Sequence, residues 1–150
     1  MSKVPLPKTG RVYYDVVLES KNIQGGSVCF PDACAIGLSD KSMKAKGAVL
    51  LLGSTPRSWG LLLNGKTHHN KVRSNFAPPL SNRSTDVKCV RYLVRVSVDC
   101  DSGEVSFSYD GRDFGVAFEL SKEEMRTPIY PAVCFASSGH TATFSDFLGD

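Results

Sequence analysis

No segment of this sequence is apolar for long enough to cross a bilayer as a helix. The longest strongly apolar run is Ala48-Val49-Leu50-Leu51-Leu52, whereas a spanning helix needs about 20 residues. The opening Met1-Ser2-Lys3-Val4-Pro5 contains no stretch of signal-peptide length. No C-x-x-C occurs, and the three histidines stand apart from any zinc-like spacing, so neither metal nor cofactor is expected. The cysteines (Cys29, Cys34, Cys89, Cys100 and Cys134) are odd in number. Without an export signal they read as small buried hydrophobes in a reducing compartment, cytoplasmic or nuclear, with no membrane partner. Trp59 is the only tryptophan, which leaves a sugar-binding aromatic groove poorly supplied.

What is present points to β-structure. The chain has 150 residues, 41% of them hydrophobic, enough for one core. In Val12-Tyr13-Tyr14-Asp15-Val16-Val17-Leu18-Glu19, the side chains of Tyr14, Val16 and Leu18 share one face, opposite Asp15 and Glu19. Val94, Val96 and Val98 alternate with Arg95 and Ser97; Val105, Phe107 and Tyr109 alternate with Ser106 and Ser108. A period of two sets one face of a strand against a core and the other against water. Asp101-Ser102-Gly103 and Asp110-Gly111 punctuate these runs as hairpin turns, so residues 93–118 are expected to form a three-strand antiparallel meander. A final strand is expected at Thr141–Phe144. The one helical signal is Ser121–Arg126, with Ser121 as N-cap and Pro128 as stop. Residues 75–89, with Pro78-Pro79, read as a long surface loop. This pattern indicates an all-β sandwich or barrel over residues 10–148, preceded by an arm at residues 1–9.

Charge is unevenly distributed. Residues 1–75 hold 11 Lys/Arg and 4 Asp/Glu (+7), and residues 76–150 hold 7 and 11 (−4). The basic half raises RNA or another polyanion as an alternative partner. No basic run exceeds two residues, and strands from the two halves of a sandwich interleave, so mixed surface charge is expected.

Taken in order, several of these segments resemble the SPRY domain family. They are Gly10 with Tyr13-Tyr14-Asp15-Val16, Ala35-Ile36-Gly37-Leu38, Ser58-Trp59-Gly60-Leu61, Asn64-Gly65-Lys66, Val98–Phe107, Tyr109-Asp110-Gly111, Phe114–Phe118 and Ile129–Val133. Within that family the pattern is most similar to the SPRY domains of SPRY domain–SOCS box proteins, with Gly139-His140 in place of the end of a Trp-Gly-His segment. The resemblance implies a concanavalin-like or jelly-roll-like sandwich whose loops grip a protein or an extended peptide. Such a module serves as an adaptor or complex subunit, including in ubiquitin pathways, and is not an enzyme. Ser138 stands where the subgroup has tryptophan, and His68 stands near its peptide-contacting tyrosine, with His69 beside it. The resemblance does not extend to a SOCS box within these 150 residues.

The candidate contacts are therefore loop residues. They lie at Ser20–Gly26, Ser54–Arg57, Asn64–Asn70 and Ala136–His140, with Arg57, His68, His69, Ser137, Ser138 and Gly139 as protein-binding residues. Ser137, Ser138 and Gly139 would expose backbone groups to an extended peptide, and Arg57 or His68 would add polar contacts. A Cys–His nucleophile pair requires a geometry the spacing does not establish, and the two histidines are expected in a solvated loop or strand end. Trp59 is expected in the core. Asp99, Asp101 and Glu104 miss the calcium-loop spacing and fit a hairpin turn. Asn82-Arg83-Ser84 matches a glycosylation pattern that would go unused without secretion.

Overall fold

Tyr14, Val16 and Leu18 are fully buried, while Asp15, Val17 and Glu19 between them are half-exposed. That alternation defines β1 (Arg11–Lys21) of the computed structural model, which describes residues 4–21, 34–40, 52–78, 89–109, 111–135, 140–145 and 147–149. The same alternation recurs along β6 (Cys89–Asp99), where Val94, Val96 and Val98 are buried, and in β7 (Glu104–Tyr109), where Val105 and Phe107 are. Antiparallel register places Val16 opposite Val94 and Val96 opposite Phe107. With β8 (Arg112–Glu119), β6 and β7 form the expected consecutive meander.

Among the described residues, two antiparallel sheets form. The first has the order β10-β1-β6-β7-β8, with β10 at His140–Phe144 and a short β11 (Leu148–Gly149) also paired to β1. The second runs β5-β4-β3-β2-β9, comprising β2 (Cys34–Ser39), β3 (Ser58–Leu62), β4 (Lys66–His69), β5 (Val72–Asn75) and β9 (Tyr130–Phe135). Their facing sides share one apolar core, including Tyr14, Val96 and Phe107 from the first sheet and Ile36, Leu38, Trp59 and Leu61 from the second. This is the sandwich expected from the sequence.

The second sheet departs from simple alternation. Every residue of β2 and β3 is buried. Their outward residues Ala35 and Leu62 meet Leu52 and Ala132 in a second small cluster, with Cys134 against it. The Leu52 amide also donates to Cys134 Sγ at 2.9 Å. A strand covered on both faces has no polar side to reveal its period.

Turn chemistry closes the first sheet. Asp99 Oδ1 accepts the amides of Asp101 (3.0 Å) and Ser102 (3.2 Å). Gly103, at φ +84°, returns its amide to the Asp99 carbonyl at 2.7 Å. An aspartate that bonds its own following backbone and a glycine in the left-handed region are what such a turn requires. The Ser121–Arg126 segment is a capped turn with a 3-10 helix at Glu124–Arg126. The Glu124 amide donates to Ser121 Oγ and the Ser121 amide to Glu124 Oε1, a reciprocal capping box.

The residues ahead of β1 are stitched to the sandwich. Leu6 is buried in the main core, and its amide donates to the Ile129 carbonyl at 2.7 Å. The expected long loop starts later than the sequence indicates, because Asn75 ends β5 and Phe76 packs on the core against Phe114; residues 79–88, including Asn82-Arg83-Ser84, lie outside the described residues. Cys34 and Cys100 are free and buried and Cys134 is free and half-buried, their thiols held up by burial in the case of Cys100 and Cys134. Cys29 lies outside the described residues. The two halves of the chain do exchange charge: Arg11 pairs with Asp99, and Arg95 makes a two-pronged pair with Asp15.

Candidate functional site

A sandwich offers its connecting segments at two ends, and strand pairing assigns them. One end gathers the residues around Ser39, Ser58 and Tyr130, which are paired across β3, β2 and β9. The turn at Asp99–Gly103 belongs to the same end, since the Leu120 amide donates to the Gly103 carbonyl. The other end holds Cys34 paired with Phe135, and Ser20 paired with His140.

Arg57 precedes Ser58 at the first end. Its Nε donates to Asp40 Oδ2 at 3.0 Å, and Nη2 donates to the Glu124 carbonyl at 2.8 Å and to Thr127 Oγ1. One guanidinium thus ties the close of β2, the loop before β3 and the capped turn, using the forked donor geometry that lysine lacks. The loop is further knotted by Ser58 Oγ, which accepts the Gly53 amide (2.9 Å) and the Thr55 amide (3.2 Å). Arg57 acts here as a brace.

The two histidines stand at the end of β4 within the expected Asn64–Asn70 hairpin region, where His68 is buried rather than solvated. His68 is 5% exposed, and its Nδ1 sits 2.9 Å from the Leu52 carbonyl, under the second apolar cluster. His69 points to the opposite face and stacks on Trp59, with ring centroids 5.3 Å apart and 9° between planes. Its edge meets Phe118, and its Nδ1 faces the Ser58 carbonyl at 2.9 Å. A carbonyl partner in each case requires the proton on Nδ1. Trp59 itself is 2% exposed, as expected of a core residue. Among the described residues no cysteine or carboxylate partners either ring, and no group of three His, Cys, Asp or Glu suits a metal.

Ser137, Ser138 and Gly139 lie outside the described residues, as do Asp110 and residues 22–26. Their flanking anchors do not. Phe135 and His140 sit at the Cys34 end of β2, whereas Arg57 sits at the Ser39 end, about 16 Å away at ~3.3 Å per strand residue. The sequence candidates are therefore split between ends rather than gathered into one surface. Sequence reasoning also passed over an open cleft of about 360 Å³ at the Asp99–Gly103 end, lined by Lys8, Leu120, Lys122, Met125 and Arg126 among others. Its signal was the pair of cations four residues apart in Ser121-Lys122-Glu123-Glu124-Met125-Arg126.

Comparison with known proteins agrees with the fold. The family model of the SPRY domain matches residues 11–148. F-box/SPRY domain-containing protein 1 of Drosophila virilis is 34% identical over 118 residues, covering 76% of this chain and 44% of that protein. The Drosophila mojavensis protein gives the same figures. The chain thus spans less than half the length of these curated relatives, which are F-box/SPRY proteins rather than SOCS box proteins. Among solved structures, the TRIM65 PSpry domain has a TM-score of 0.62 at 19% identity, over 96% of this chain and 67% of that one. The SPRY domain of human HERC1 has a TM-score of 0.55 at 19% identity, over 92% and 76%. At those identities the likeness is one of fold.

Proposed function

This chain belongs to the SPRY domain family, and on that premise we propose that it is a non-catalytic protein-interaction module, an adaptor or complex subunit. It would hold a partner protein or an extended peptide through loops at one end of the sandwich. SPRY domains generally bind proteins, and the F-box/SPRY relatives are in keeping with an adaptor in a ubiquitin pathway. The observation that supports the reading is the framework: β9, which leads into residues 136–139, is paired along its whole length with the fully buried β2.

Ser137, Ser138 and Gly139 are the proposed contact residues, presenting small side chains and backbone groups between Phe135 and His140. His68, His69 and Arg57 serve as supports of the framework in this reading. The test is affinity capture with mass-spectrometric identification from the native cell, comparing wild type with Ser138→Trp. Loss of specific partners from a variant that melts like wild type supports the site. An unchanged partner set sinks it.

A further inference from the structure

The cleft at the Asp99–Gly103 end has a build that the loop at residues 136–139 does not explain. Its floor is apolar: Leu120 is 3% exposed and Cys100 6%, with half-buried Met125 beside them. Its rim carries three exposed cations, Lys8, Lys122 and Arg126, and exposed Ser102 also lines it. Lys8 Nζ donates to the Arg126 carbonyl at 3.0 Å, which draws the residues ahead of β1 over one side. The Lys122 ammonium and the Arg126 guanidinium have no hydrogen-bond or ion-pair partner among the described residues.

Of the neighbouring carboxylates, Asp99, Asp101 and Glu124 are already committed, and exposed Glu123 lies outside the lining of the cleft. Asp101 Oδ2 accepts the Gly10 amide at 3.3 Å. Asp99 takes the Arg11 guanidinium and two turn amides. Glu124 caps Ser121. Asp101 is the one acid on the rim, so the cleft itself carries three cations to one anion.

We propose that this cleft binds an extended peptide carrying an anionic side chain, carboxylate or phosphate, next to an apolar one. The apolar residue covers Leu120 and Met125 while the anion is held by Lys122 and Arg126. A volume of about 360 Å³ accommodates side chains rather than a folded partner. Nucleic acid fits less well, because a phosphate backbone calls for a longer track of cations and no apolar floor. The site is distinct from the 136–139 segment and does not rest on it.

The test is fluorescence anisotropy on the full chain with four labelled probes. These are a peptide with a central leucine flanked by glutamates, its phosphoserine counterpart, its lysine counterpart, and a ten-nucleotide thymidine oligomer. The glutamate or the phosphoserine peptide should bind, more weakly as salt rises from 50 to 200 mM, and the stronger of the two identifies the anion. Lys122→Glu with Arg126→Glu, both exposed positions, should cost about tenfold or more in affinity; a melting curve checks that the variant folds. The inference is overturned by equal binding to the double variant, by equal binding of the lysine peptide, by binding of neither acidic peptide, or by tighter binding of the oligomer. Partner capture by the Ser138→Trp variant is read separately, so either site can fail alone.

Discussion

The hydroxyl of Tyr14 donates to the backbone carbonyl of Gly37 at 2.5 Å, crossing the core from β1 to β2. This is a polar tie between two sheets otherwise held face to face by apolar contact. Tyr14→Phe would leave the Gly37 carbonyl buried without that donor, at a cost of about 1–3 kcal/mol. Urea unfolding of the two proteins measures it.

Burial pushes the Tyr14 phenol well above its ordinary value. The fold therefore favours the neutral form. The stability so gained is complete below the ordinary tyrosine value of about 10 and is lost as pH climbs through and beyond it. Wild type should lose stability above pH 10 more steeply than Tyr14→Phe, as followed by unfolding at stepped alkaline pH; parallel curves would refute this.

Gly37 shows why a glycine is needed in a central strand. A Cβ placed there would sit on the Trp59 carbonyl oxygen, well inside contact distance, and crowd the Gly60 Cα. Backbone on both sides leaves little room to yield, so Gly37→Ala should cost about 3 kcal/mol or more. Chemical denaturation checks the size, and a cost under 1 kcal/mol would contradict the packing described.

Asp99 titrates below the usual carboxylate range, chiefly because the Ser102 amide bonds its charged form, helped by the Asp101 amide and Arg11. A depressed value adds stability above about pH 4 that disappears as pH falls through the lower folded value. Asp99→Asn should flatten the acid limb of the stability curve between pH 4 and 2. Carboxyl chemical shifts followed through the same range give the direct reading.

Arg57→Ala should loosen the loop at residues 52–57 and lower stability by about 1–2 kcal/mol, the cost of removing one guanidinium that serves both the Glu124 carbonyl and the Asp40 carboxylate. Faster cleavage in limited proteolysis would locate the loss. Capture of partners that depend on Ser138 should survive, since Arg57 lies at the other end of β2. Joint loss of both activities in a folded protein would place the two in one surface after all.

The meander was legible because its information is local: Val94–Val98 and Val105–Tyr109 each alternate, Asp101-Ser102-Gly103 joins them, and Asp110-Gly111 marks the next turn. β2 and β3 were recognisable only by resemblance, because Leu52 and Ala132 cover the face that water would otherwise mark. Beyond the hairpin region expected at Asn64–Asn70, the strand β5 was missed for a different reason. Asn70 and Lys71 take φ of 48° and 66°, a turn built without the glycine that usually announces it. His68 looked like a surface ligand because nothing local shows that Leu52, 16 residues earlier, lies against its ring. Sheet order and the cleft at Lys122 share that limitation, since both join residues far apart in the chain.

Leu6 is fastened to Ile129, and β11 returns to Val12 and Tyr13, so the described polypeptide enters and leaves the sandwich on the same side. A unit wired like a plug can be spliced into a surface turn of another protein without stretching its host. Whatever is joined on that side stands at the end that holds Lys122 and Arg126, while the strand positions Phe135 and His140 lie at the opposite end. Placing a reporter there by genetic insertion should give a sensor whose two attachment points stay close whether or not the far side is occupied.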